Sequence, residues 1–228
     1  MPRLARIIID NHPCHIIQRG NNRQDVFLDD EDRSAYLSIL KAFSQKHSVH
    51  ILGYCLMTNH VHIIVMPDKA VVLAKAIGGT HFRYTQYYNR KYSRSGHLWQ
   101  NRFYSVVLEE NHLITAMRYI ERNPVRIGEV KKAEDYPWSS AKAHISGNDP
   151  KNLIDMKSWK QLTDIANWRP VLRAPDEDAE FESLRKHTMS GRPFGSERFL
   201  KKLEQKLDRR VRALPVGRPK IKKKQSQQ

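Results

Sequence analysis

His60 and His62 stand two residues apart in His60-Val61-His62-Ile63-Ile64-Val65-Met66, a segment with the β-branched content of a strand. On a strand, side chains at i and i+2 share a face, with roots about 7 Å apart. The two imidazoles are then presented side by side, and their nitrogens can converge on one divalent metal. Val61 points the other way, into a core. The same spacing also describes a strand with two exposed histidines. With 11 histidines in 228 residues, the pair alone does not decide. Tyr119 and Asn123 make a second pair, four residues apart and on one face of a helix read over His112 to Arg122. A tyrosine beside a side-chain oxygen can act as a nucleophile next to a third metal ligand. It can equally be a half-buried core tyrosine. A phenol with pKa ~10 is a weak nucleophile, so a metal and nearby cations must activate it. Arg118, Arg122 and Arg126 lie around it in the chain.

The elements that must hold these residues follow from pattern and punctuation. Residues 13 to 19 read as a strand, and Gly20-Asn21-Asn22 as a turn. Asp29-Asp30-Glu31-Asp32 opens a helix that runs to about His47, with apolar residues at Tyr36, Leu37, Leu40 and Phe43. Residues 49 to 57 and 60 to 66 are strands joined at Thr58-Asn59, an antiparallel hairpin. A helix from Ala70 to about Tyr92 carries His81, Arg83 and Arg90, either phosphate contacts or a solvated face. Residues 93 to 104 read as a loop, 105 to 108 as a short strand, and the tyrosine helix ends before Pro124. A short helix is read over 139 to 145. Residues 146 to 180 are polar with weak periodicity.

Charge sets the partner. Lys plus Arg number 40 against 24 Asp plus Glu, a net +16, and such a field draws polyanions, of which nucleic acid is the commonest in a cytosol. The bland alternative is a soluble basic protein. From Arg192 onward 13 basic residues face three acidic ones. Phe199, Leu200, Leu203 and Leu207 give one face of a basic helix, and residues 215 to 224 read as a disordered cationic arm. The length suits one compact domain plus an appendage. No run of 18 apolar residues suggests a membrane span, and no secretory signal is visible, so the expected location is cytoplasmic, at the nucleoid. Cys14 and Cys55 read as buried free thiols.

A longer series of motifs then carries a resemblance. It comprises Gln18-Arg19-Gly20-Asn21, Tyr54-Cys55-Leu56-Met57-Thr58-Asn59-His60-Val61-His62 and Ser95-Gly96-His97-Leu98-Trp99-Gln100-Asn101-Arg102-Phe103. It continues through Arg118-Tyr119-Ile120-Glu121-Arg122-Asn123-Pro124-Val125-Arg126 and Tyr136-Pro137-Trp138-Ser139-Ser140. From about residue 5 to 147 the chain resembles the HUH single-tyrosine transposases, and within them the REP-associated tyrosine transposases of bacteria. The resemblance implies an α+β fold, a ferredoxin- or RRM-like antiparallel sheet with helices packed on one face, here with a basic C-terminal extension. It implies a transposase domain over 1–147, a polar connecting region with short helices over 148–191, and a basic helix and arm over 192–228. It implies that His60, His62 and Asn123 bind Mg or Mn and that Tyr119 attacks the scissile phosphate to leave a 5′-phosphotyrosine. The implied partner is single-stranded DNA with hairpins, the repetitive extragenic palindromes, and the protein is a monomer or homodimer. Many insertion-sequence relatives carry Gln where this chain has Asn123, which puts metal placement in question.

Other residues join on chemical grounds. His97, Trp99, Gln100 and Arg102, with Phe103 and Tyr104, mix aromatics and polar groups as a base-stacking surface would, or as a packed loop would. Arg19, Arg118, Arg122 and Arg126 are further candidate DNA contacts. Arg218 and Lys220, in Gly217-Arg218-Pro219-Lys220, resemble a minor-groove arm, and plain phosphate binding is the simpler role. A DNA-binding regulator without catalysis and an RNA-binding protein are the competing readings.

Overall fold

A computed structural model of the chain describes residues 6–163, 165–176 and 178–213. Four strands form one antiparallel sheet: β1 (Cys14–Arg19), β2 (Val49–Met57), β3 (His60–Pro67) and β4 (Tyr104–Val107), in the order β2-β3-β1-β4. β3 is therefore a central strand. β1 and β3 pair with Ile17 opposite His62 and Arg19 opposite His60.

Two helices cover one face. α1 (Asp30–Lys46) begins where the Asp29 carboxylate accepts from Asp32 N–H, with three acidic residues in its first turn to complement the helix dipole. α2 (Ala70–Lys91) lies beside it. Tyr36, Leu40, Leu73, Ile77 and Tyr84 pack there on Cys14, Ile16, Val61, Ile63 and Val65. The opposite face buries Leu52, Cys55, Ile64 and Val106 under α3 (Glu110–Glu121) and three later helices, α6 (Met156–Thr163), α7 (Trp168–Arg173) and α8 (Asp178–Ser190). Helices thus cover both faces of the sheet, not one as expected. The reason is in the strands: runs such as Ile63-Ile64-Val65 are apolar at consecutive positions, and both faces then need cover. Gly53 allows the close approach of α3, since a Cβ there would lie 2.3 Å from Met117 Sδ.

The tyrosine helix ends at Glu121, before Pro124 as expected. After Arg122, α4 (Asn123–Arg126) continues for one turn, with Pro124 in its first turn, where a missing N–H costs nothing. α5 (Ala141–Ser146) follows. The weakly periodic stretch after residue 146 contains α6, α7 and the start of α8. α9 (Glu197–Leu207), capped by Ser196, packs Phe199, Leu200 and Leu203 on the α1/α2 side. Cys14 and Cys55 are buried and free. No described helix is long and apolar enough to cross a membrane. The arm over 215–224, with Arg218 and Lys220, lies outside the described residues.

Candidate active site

The face of β3 turned toward α3 and α8 presents His60 and His62, and β1 brings His15 and Arg19 beside them by its register. The two rings of the His60–His62 pair stand 4.9 Å apart. Burial, with Arg19 adding to it, holds His60 at about 4, and burial with the neighbouring His60 holds His62 well below the usual histidine range. Both rings are neutral at pH 7, the form that offers a lone pair to a metal. His60 Nδ1 lies 2.7 Å from Asn59 Oδ1. That oxygen accepts, so the proton sits on Nδ1 and the lone pair on Nε2. His62 Nδ1 is likewise occupied, 2.9 Å from His15 Nε2. Two neutral imidazoles with both Nδ1 atoms engaged fit a divalent cation as a pair of ligands. Among the described residues, no group of three or more His, Cys, Asp or Glu could hold a metal, so a further protein ligand must be of another type.

Tyr119 sits on α3 with its ring edge-on to His62, centroids 5.6 Å apart. It is only 5 % exposed, under Phe181 of α8 at 5.4 Å. Its Oη accepts a hydrogen bond from Arg185 Nε at 3.1 Å. The Arg126 guanidinium lies 4.3 Å from the centre of the Tyr119 ring. Arg126 also donates to Tyr119 O at 2.9 Å and to Asn123 Oδ1 at 2.5 Å. Asn123 is thereby joined to Tyr119. Its Nδ2 and Arg126 Nη1 are buried with no hydrogen-bond partner, the kind of orphaned polar atom that marks a site meant for something else.

What fixes α3 is the rest of the same motif. Glu121 is fully buried and accepts from Trp168 Nε1 at 2.6 Å, His144 Nδ1 at 2.7 Å and Ser140 Oγ. Arg118 donates to Val171 O at 2.9 Å and to the carbonyls of Ala174 and Pro175. Arg122 binds Asp176 at 2.6 Å and Leu172 O. Of the three arginines flanking the tyrosine, only Arg126 is directed at its ring; Arg118 and Arg122 clamp the end of α7. Arg19 is exposed beside His60.

The 94–103 loop lies along a groove with α2, lined by Arg6, Gln18, Phe82, His97 and Arg102 among others. His97, Gln100 and Arg102 are exposed there. Trp99 is not: it packs 4.9 Å from His81 and donates to His81 O at 3.2 Å. Phe82, 65 % exposed, is an aromatic side chain at the surface of this groove. Gly20 closes the turn after β1, because a Cβ there would lie 2.1 Å from Gln24 O.

Three residues at the centre escape the sequence pattern: His15, Arg185 and Thr188. A signal existed for α8 in Phe181, Leu184, Arg185 and Thr188, which share a helix face by spacing, but nothing in it points to a tyrosine 66 residues away.

The family model for IS200-like transposases matches residues 9–123, half of the chain. The chain belongs to this family. It is therefore an enzyme acting on DNA, of a family that generally uses a divalent metal. A Haemophilus influenzae protein named for the REP-associated tyrosine transposases is 27 % identical over 142 residues, 56 % of this chain and 78 % of that protein. The structure of a REP-associated tyrosine transposase bound to a REP hairpin superposes with a TM-score of 0.53 at 17 % identity, covering 67 % of this chain and 90 % of that one. At that identity the likeness establishes the shared fold. The family match contains His60, His62, Tyr119 and Asn123 and ends before Arg126 and α8.

Proposed function

We propose that this IS200-like transposase nicks and rejoins single-stranded DNA beside hairpins of the repetitive extragenic palindrome kind, with Tyr119 as nucleophile. The observation that carries the proposal is what surrounds one tyrosine: the Tyr119 ring stands edge-on to His62 while Arg185 donates to its Oη. A guanidinium can only donate, so Arg185 meets Oη as an acceptor, and with Arg126 across the ring face two positive charges lie beside the oxygen that must attack. The Tyr119 oxygen bonds to phosphorus, giving up its proton to solvent, as the bond from phosphorus to the 3′ oxygen breaks. That oxygen takes a proton and leaves as a free 3′-OH, and the strand stays on Tyr119 as a 5′-phosphotyrosine. The link conserves the phosphodiester energy, so a 3′-OH can reverse the step without ATP.

His60 and His62 would hold the cation, with Asn123 as third ligand once its Oδ1 is released from Arg126; bound there, a divalent metal would offset charge on the phosphate oxygens. A sparse set of neutral nitrogens and an amide oxygen leaves positions for water and phosphate, which suits Mg or Mn better than a closed zinc site. His97, Gln100 and Arg102, with Phe82, would take the strand leading to the hairpin, and Arg19 a phosphate near His60. Trp99 would shape this groove from beneath. Such an enzyme works on cytoplasmic DNA.

The test is an oligonucleotide hairpin with single-stranded flanks, incubated with protein and Mg or Mn and run on a denaturing gel. A covalent adduct is expected from the native chain, none from Tyr119→Phe, and at most a trace from His60→Ala. An adduct with Tyr119→Phe would refute the nucleophile, and normal cleavage by His60→Ala would refute the metal ligands. Close cover of Tyr119 by α8 gives some weight to a second reading, a regulator that binds hairpins without cutting; hairpin binding with no adduct under any metal would select it.

A further inference from the structure

We infer that Thr188 and His15 are positioning residues that lock the proton of His62 onto Nδ1 and so reserve its Nε2 lone pair for the metal. The inference rests on His62 being a metal ligand, as proposed above. It follows from the direction of three consecutive hydrogen bonds. Thr188, on α8 and 1 % exposed, donates its hydroxyl hydrogen to Leu184 O at 2.8 Å. A carbonyl can only accept, and a hydroxyl has one hydrogen. Toward His15, Thr188 Oγ1 is therefore an acceptor. His15 Nδ1 lies 3.3 Å from that oxygen and must carry the ring proton. His15 is completely buried, and among the described residues no acid contacts it: its ring meets Thr188, His62 and Tyr119. Its Nε2 is then bare and accepts across 2.9 Å from His62 Nδ1–H. The chain of hydrogen bonds ends at His62, whose Nε2 is left without a proton.

The consequence is chemical. A histidine side chain in water prefers its proton on Nε2. Without an acceptor at Nδ1, His62 would drift toward that form and carry a proton on the atom that must bind the cation. A hydrogen-bond partner that fixes a ligating imidazole's tautomer from behind is worth about 10- to 100-fold in metal affinity. Here the partner is reached through two residues, and its far end lies on α8, outside the stretch the family model matches.

The full-length protein labelled with 15N-histidine, free of metal, reports each ring's tautomer through long-range 1H–15N correlations. His62 is expected as the Nδ1–H form. Thr188→Val, which keeps the shape and removes the acceptor, should move His62 toward Nε2–H. Mn2+ affinity, followed by electron paramagnetic resonance of the free ion, should fall about 10-fold or more. Thr188→Ser should restore both. His15→Phe should repeat the loss, and serves if the valine variant does not fold. An Nε2–H His62 in the native protein, or an unchanged tautomer in the folded Thr188→Val and His15→Phe variants, overturns the inference. His62→Gln is the control for the underlying assignment. If it binds Mn2+ as the native chain does, His62 is not a ligand, while the tautomer result still stands or falls by itself.

Discussion

Arg185 and Arg126 meet Tyr119 from two directions, one at the oxygen and one at the ring. Only the first changes what the oxygen can donate or accept. Replacing Arg185 by Gln should slow nicking about 100-fold, the usual loss when one donor to developing charge is removed, and leave hairpin affinity within a few-fold. Single-turnover cleavage beside a gel-shift titration separates the two; equal losses in both would make Arg185 a DNA-binding residue instead. At this scale the placement of His60 and His62 on one strand face and of Tyr119 on a helix was legible because such spacing is a local property, while the roles proposed for them and for Asn123 came from the resemblance. His15, Arg185 and Thr188 were not, since they reach the site through β-sheet register and the docking of α8, which are long-range. Arg118 and Arg122 show the opposite difficulty. A sequence displays their charge but not the carbonyls of α7 and its following loop that occupy their donors.

The strands and long helices up to Glu121 match the sequence reading within a few residues, because each is bounded by strong signals such as Asp29, Thr58-Asn59 and Pro67-Asp68. The second layer of helices was not readable. α6, α7 and α8 are short or interrupted, and their periodicity is weak. Their necessity was nonetheless written in the sheet, whose consecutive apolar residues leave no face for water. A fragment ending at residue 147 should therefore expose Leu52, Cys55, Ile64 and Val106, bind the hydrophobic dye ANS and aggregate, while the full chain does neither. A monomeric, dye-silent fragment would mean that α3 and α5 suffice as cover. The end of α9 supports a pH prediction. Hydrogen bonds from Arg212 hold the Glu204 carboxyl down at about 2. A depressed acid contributes stability that is complete above its unfolded pKa of ~4.3 and lost as pH falls toward 2. Thermal melts should show the native chain and Glu204→Gln converging between pH 4.5 and 2, with the native chain more stable only above that window. Parallel curves throughout would show that Glu204 is not coupled to folding.

Across the whole molecule the net charge of +16 sets a long-range attraction for DNA that no single contact explains. Deleting residues 214 to 228 removes Arg218, Lys220, Lys222, Lys223 and Lys224. If all five neutralise phosphates of a single strand, the slope of log affinity against log salt should flatten by up to about 3.5. Affinity titrations from 50 to 300 mM salt measure it, and an unchanged slope would confine the tail to another task. The proposed centre also has two walls of separate origin. β1, β3 and α3 supply one, within residues 14 to 123, and α8 supplies the other from residues 181 to 188. Variation in the second wall can retune reactivity without touching a single candidate ligand or the nucleophile. Relatives that share the matched stretch yet differ in α8 would then be the same machine set to different speeds, and a graft of the catalytic core that leaves α8 behind would inherit the parts without the setting.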